Sequence, residues 1–207
     1  MSDASSDTRD LLERARHGEP AALAELFARY RDPLRQAVAL RLDRRLAARV
    51  DVSDVLQDTY LEASRRLADY LARPALPFGL WLRWLTREQV LTAHRRHLLA
   101  DRRAVGREAP PLPAAASSVF VGALLGKGPS PSQAVAAAEA AEKLRLALGQ
   151  LDDDERDLIL WRHFERLTNR EVAQLLVISE AAAGKRYIRA LERLRGLLLG
   201  LGLSEPG

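Results

Sequence analysis

A chain of 207 residues, 47% of them hydrophobic, can form one domain or two small ones with real cores. It has no cysteine, which excludes a disulfide framework, a thiolate zinc site and a cysteine nucleophile. Net charge is only +4, yet arginine supplies nearly all of the positive charge and is unevenly spread. Leu, Ala, Arg and Glu dominate and aromatics are few, so the expected fold is all-α. The polar, acidic stretch Met1–Asp10 lacks an apolar signal region, and no run approaches the ~18 apolar residues of a membrane span. A cytoplasmic protein is expected.

In chain order, Leu11–His17 reads as a short helix ended by Gly18. A longer helix starts near Pro20, with Leu23, Leu26, Phe27, Tyr30, Leu34 and Val38 at helical spacing; Pro33 is expected to kink or divide it. A third runs from about Ser53 to Leu71. It opens with an acidic stripe, Asp51, Asp54, Asp58 and Glu62, at three- and four-residue steps behind Val55, Leu56, Thr59 and Leu67. Acids at a helix N-terminus favour the macrodipole, which accounts for Asp51 and Asp54 but not for Asp58 or Glu62. A docking face for a basic protein is the functional alternative.

A fourth helix begins near Pro77 and carries Phe78, Trp81, Leu82 and Leu85 on one side. Trp84 falls off that side, near Arg83, Arg87 and Arg95. An aromatic ring among arginines offers an unpaired base a stacking surface beside phosphate neutralisation, while a helix buried on two sides would use both tryptophans as core. Arg83, Arg87, Arg95, Arg96, Arg102, Arg103 and Arg107 oppose only Glu88 and Asp101, a first basic block. His94 and His97 have metal-like spacing but no evident third ligand, so no metal site is expected.

Pro110, Pro111, Pro113, Pro129 and Pro131, mixed with Ala, Ser and Gly, mark residues 105–134 as a linker rather than a core element. Within it, Val119–Leu125 is apolar enough to dock. The expected architecture is two small helical domains, 1–104 and 135–203, joined by this linker.

Beyond Leu151 the pattern is a helix-turn-helix. Asp152, Asp153, Asp154 and Glu155 read as helix-start acids before Arg156–Phe164. Asn169 is a candidate N-cap for a short helix through Leu176, and Ser179 caps a longer one. About the second axis, Tyr187, Ile188, Leu191, Leu194 and Leu198 fall on one side and Lys185, Arg186, Arg189 and Arg193 on the other, a packing face and a phosphate face. The turn is unusual, because Val177 and Ile178 stand where glycine often supplies a positive φ. No glycine-rich phosphate loop or nucleophile motif occurs, so neither a cofactor nor an enzymatic activity is expected.

Four segments together, Ala21–Leu42, "DVSDVLQDTYLEA" from Asp51, "FGLWLRWL...HRRHL" from Phe78, and Leu151 onward through "LTNREVAQLLVISEAAAGKRYIRALERLRGLL", resemble the ECF (extracytoplasmic function) sigma factors of bacterial RNA polymerase. The resemblance covers almost the whole chain. It implies that Asp51, Asp54, Gln57, Asp58 and Glu62 lie on the helix that docks on the clamp of the largest polymerase subunit. It implies that the segment with Arg83, Trp84, Arg87, Arg95 and Arg96 opens and reads the -10 element. Ser179, Ala182, Lys185, Arg186, Arg189 and Arg193 would then meet the -35 element as duplex. Core RNA polymerase, including its flap region, and promoter DNA are the implied partners, with an anti-sigma factor as a possible third. Glu88 and Thr92 depart from the Asn and Asp common in the family, so the usual base contacts do not carry over. Ala181, Ala182, Ala183 and Gly184 replace larger residues at the start of the recognition helix, and Val177 replaces the turn glycine. An operator-binding regulator using the same C-terminal unit is the alternative reading.

Overall fold

The computed structural model describes residues 3–42, 50–99, 112, 114–126 and 134–203. The described residues hold α-helices and no strand: α1 Asp3–Arg16, α2 Pro20–Arg41, α3 Val52–Ala72, α4 Phe78–Leu99, α5 Ala114–Leu124, α6 Ala134–Leu148, α7 Asp153–Ile159, α8 Asn169–Leu176 and α9 Glu180–Gly200. Between α7 and α8 lies a π-helical turn, Leu160–Phe164. The fold is all-α. Two compact units emerge, one from residues 3–38 and 50–99, the other from 39–42 together with the described residues beyond 111.

In the first unit, Leu23, Leu26, Phe27, Leu34 and Val38 of α2 are buried, as their spacing predicts. Pro33 lies inside α2 without ending it. A proline removes one intrahelical hydrogen bond, and the burial of Leu34, Ala37 and Val38 just beyond it holds the following turn in place. Asp51 caps α3, its Oδ1 accepting the Ser53 N–H at 2.6 Å. Val55, Leu56, Thr59, Ala63 and Tyr70 form the buried side of α3. An aromatic cluster joins α3 to α4: Tyr70 stacks on Trp81 at 4.4 Å between centroids, and Phe78 lies edge-on to Tyr30 and Tyr70. Gly79 lets the Tyr30 ring lie close, since a Cβ there would stand 2.7 Å from it and the ring would have to shift.

The second unit has its core between α5, α6, α7, the π turn and α9. Leu144, Leu148, Ile159, Leu160, Ala190, Leu194 and Leu198 are almost wholly buried. Truncating one such leucine to alanine typically costs about 2–5 kcal/mol. The segment read as linker is partly structured: Ala114–Leu124 is helical, and Phe120, Val121 and Leu125 enter this core while Val119 stays exposed. Apolar spacing at 120, 121 and 125 outweighs the prolines, which flank the helix instead of interrupting it. Residues 105–111, 113 and 127–133 lie outside the described residues.

The last turn of α2 belongs to this second unit. Leu40 joins its core, and the Arg41 guanidinium, 4% exposed, donates to Asp157 Oδ1 at 2.6 Å and to Glu165 Oε1 at 2.8 Å. Its charged form also lies 5.7 Å from the Trp161 ring centroid. Burial disfavours the charge, but the two carboxylates outweigh that and hold the Arg41 pKa above its ordinary value.

Candidate nucleic-acid interface

The helix-turn-helix is built from caps. Thr168, not Asn169, is the N-cap of α8: its Oγ1 accepts the Glu171 N–H at 3.2 Å and Glu171 Oε2 accepts the Thr168 N–H at 2.7 Å. This reciprocal box satisfies two orphan donors at once. Asn169 does another job, its Nδ2 donating to the Glu180 carbonyl at 2.7 Å and so tying the start of α8 to the start of α9. Ser179 caps α9 as its sequence position predicts, accepting the Ala182 N–H at 3.2 Å.

Val177 makes the turn. It adopts the left-handed conformation, φ 54° and ψ 46°, and the Ile178 N–H reaches back to the Ala173 carbonyl at 3.0 Å. That is the usual glycine-terminated helix ending, here carried by a β-branched residue whose side chain is 91% exposed. No packing compensates the backbone strain of that side chain.

Along α9, Ala183, Ala190, Leu194 and Leu198 are buried, while Lys185, Arg186, Arg189 and Arg193 are exposed. At about 100° per residue those four cations and Ala182 share one stripe. Ile188, placed by spacing on the packing side, is 57% exposed and belongs to neither face. The first turn carries little bulk: Ala183 is buried, and a Cβ on Gly184 would meet only Asn169 Nδ2 at 3.9 Å.

The cations of the stripe are not equivalent. Arg193 Nη1 pairs with Glu155 Oε2 at 2.9 Å and lies 3.9 Å from Asp152 Oδ2. Arg186 and Arg189 line a cleft of about 550 Å³ whose other lining residues include Asp152, Asp153, Asp154, Glu155 and Leu158. Asp152 is also the N-cap of α7, accepting the Glu155 N–H at 2.8 Å, so these acids are helix-start residues as expected. Sequence reasoning missed that they confront the basic stripe. Arg193 and Glu155 stand 38 residues apart, a separation that no local period reveals.

Beside this face, His163 of the π turn shares a hydrogen bond with the Tyr187 hydroxyl and lies against Phe120, 4.0 Å between ring centroids. Partial desolvation, helped by the charge of Arg162, pushes the His163 pKa down to about 4.

In the first unit, Asp54, Gln57 and Asp58 are exposed on α3 beside the cap Asp51. Glu62 is less open, pairing with Arg66 at 2.5 Å and with Arg65 at 3.4 Å. The Arg66 guanidinium also lies 5.6 Å from the Trp84 ring centroid, so Trp84 is half-buried while Trp81 is core. Arg83 donates to the Gly79 carbonyl at 3.0 Å, and Arg87 lies 4.0 Å from Glu88. Arg95 and Arg96 are exposed. The side chain of His97, and Arg102, Arg103 and Arg107, lie outside the described residues. Among the described residues, no helix is long and apolar enough to cross a membrane.

Comparison with known proteins agrees with this geometry. A family model, sigma-70 region 4, matches residues 141–194. The chain is 31% identical over 195 residues to the RNA polymerase sigma factor CarQ of Myxococcus xanthus, covering 93% of this chain and 98% of CarQ. It is 28% identical over 195 residues to the sigma factor CnrH of Cupriavidus metallidurans, covering 92% and 93%. The probable sigma factor RfaY of Xanthomonas campestris is 31% identical over 166 residues, 79% of this chain but only 37% of RfaY. Among solved structures, CnrH in complex with the cytosolic domain of CnrY matches with a TM-score of 0.59 at 26% identity, covering 94% of this chain and 98% of CnrH. The match to CarQ over nearly its full length, together with the helix-turn-helix of α8 and α9, identifies the family: this chain belongs to the ECF subfamily of RNA polymerase sigma factors.

Proposed function

We propose that this chain binds core RNA polymerase, directs it to particular promoters and promotes strand opening at the start of transcription. The observation that carries this is the α8–α9 unit, whose exposed stripe of Lys185, Arg186 and Arg189 is presented by a capped recognition helix within the matched sigma-70 region 4. Duplex DNA at the -35 element meets that stripe, with Ser179 and Ala182 at its leading end. Arg193, already paired with Glu155, is the least available member.

On α3, Asp54, Gln57 and Asp58 make the docking surface for the clamp of the largest polymerase subunit, with Asp51 and Glu62 at its edges. Asp51 holds the helix start and Glu62 is engaged by Arg66, so both contribute chiefly by shaping that surface. On α4, Arg83, Trp84, Arg87, Arg95 and Arg96 receive the displaced non-template strand of the -10 element. Strand separation needs no bond chemistry, because flipped bases and backbone are bound more favourably than the closed duplex. In this reading residues 1–104 serve polymerase docking and the -10 element, and 135–203 serve the -35 element and the polymerase flap. Residues 105–134 connect them, with α5 attached to the C-terminal unit. CnrH was solved with the cytosolic domain of CnrY, and we extend to this chain an anti-sigma partner without assigning it a surface.

The test is co-purification with bacterial core polymerase followed by run-off transcription on fragmented genomic DNA from the same source. Stable binding with discrete new start sites is the expected result. Operator-like DNA binding without polymerase association would replace this function by that of a free-standing regulator.

A further inference from the structure

The acids that start α7 stand in one cleft with cations of α9. Asp152, Asp153, Asp154 and Glu155 share a cleft with Arg186 and Arg189 of the recognition helix, and two of them, Glu155 and Asp152, hold Arg193 at 2.9 Å and 3.9 Å. Arg193 thus has its counter-charges in place, and a phosphate approaching Arg186 or Arg189 shares their cleft with carboxylates. At physiological salt the Debye length is about 8 Å, so carboxylates in the same cleft act on such a phosphate with little screening.

Resting on the reading of α9 as the duplex-binding helix, we propose that Asp152 and Glu155 are an internal counter-charge that sets the strength of that binding, withholding Arg193 from phosphate and opposing phosphate at Arg186 and Arg189. Glu155 is the principal member, because its contact with Arg193 is direct and the pair is only partly open to water, with side-chain exposures of 24% and 53%. Asp152 is the second, and its removal must spare the cap it provides to the Glu155 N–H. Asparagine at that position preserves the cap and removes the charge.

The prediction runs against the usual direction, since most substitutions beside a binding face weaken it. In the full-length protein, D152N/E155Q tightens binding to a fluorescein-labelled 30-base-pair duplex of random sequence by roughly two- to fivefold per charge removed, the range that exposed ion pairs span. It also steepens the salt dependence by about one phosphate contact as Arg193 becomes available. Arg193→Gln alone weakens binding, since Asp152 and Glu155 then face phosphate unpaired, while in the D152N/E155Q background it abolishes the added salt dependence. Fluorescence anisotropy between 50 and 200 mM salt reads both quantities, and circular dichroism confirms that each variant is folded.

Two controls separate the failures. If R186A/R189A binds the duplex as well as the unaltered protein, the DNA-binding assignment of α9 falls, and this proposal with it. If R186A/R189A weakens binding but D152N/E155Q leaves it unchanged or weaker, α9 keeps its role and the counter-charge proposal alone is overturned.

Discussion

Arg41 and Asp157, 116 positions apart, meet at 2.6 Å with side chains 4% and 3% exposed. Glu165 completes the site at 2.8 Å. A buried charge pair contributes little over a hydrophobic replacement of the whole group, but losing one member leaves the other charge stranded. Arg41→Ala takes a charged hydrogen bond from each of two buried carboxylates and is expected to destabilise the C-terminal unit by about 1.5–3 kcal/mol. Urea unfolding followed through Trp161 fluorescence, with the other two tryptophans replaced, measures this. A loss below about 1 kcal/mol would show that Arg41 is not what holds Asp157 and Glu165 in the core.

Val177→Gly relieves the left-handed backbone at the turn between α8 and α9. The left-handed region costs a side-chain-bearing residue about 1–2 kcal/mol, against which glycine loses about 0.4–1 kcal/mol through the freedom of its unfolded chain. With Val177 91% exposed, a net gain of up to about 1.6 kcal/mol is expected, read as a higher midpoint in thermal unfolding. A lower midpoint would mean that the valine side chain holds the turn in a way its exposure does not reveal.

His163 has a folded-state pKa of about 4, below its ordinary value near 6.5. The unfolded chain therefore takes up a proton that the folded chain refuses. Its contribution is complete above pH 6.5 and is lost as pH falls toward 4, below which it is flat. His163→Gln should show a smaller drop in unfolding midpoint between pH 6.5 and 4 than the unaltered protein. Equal drops in both would assign the acid sensitivity to other groups.

Asp54→Lys with Asp58→Lys reverses the exposed charges on α3 while leaving its buried side of Val55, Leu56 and Thr59 untouched. Capture by core polymerase is expected to fall by more than tenfold with no change in the circular dichroism spectrum. Like charge brought to a docking face costs several kcal/mol. Retained capture would move the docking surface off α3.

The helices were legible because their periods are local. The buried sides of α2, α3 and α4, and the Ser179 cap, follow from spacing and short motifs. The misreadings share a cause: each was settled by a partner distant in sequence or by competition between adjacent candidates. Thr168 displaced Asn169 because Glu171 completes a box only with threonine, and Asn169 was then free to bind the Glu180 carbonyl. Within the segment read as linker, the run Val119–Leu125 was legible as apolar enough to dock, but not that Phe120 docks in the core supplied by α6 and α9. Ile188 is apolar by composition but lies between two faces, and only the positions of its neighbours reveal that. For the site, the cations of α9 were visible in the sequence, but the acids confronting them were not, because Glu155 and Arg193 are 38 residues apart.

If α9 is the helix that meets promoter duplex, its small residues Ala181, Ala182, Ala183 and Gly184 bear on which promoters are tolerated. Methyl groups and a bare backbone cannot form the bidentate hydrogen bonds that discriminate one base pair from another; at most they favour a thymine methyl. If α9 meets the -35 element as proposed, discrimination there falls to the longer arms of Lys185, Arg186 and Arg189, over few base pairs, each worth about 1–3 kcal/mol. On that proposal, mutational scans of a promoter the protein serves would show shallow penalties in the upstream element and steep ones in the melted region.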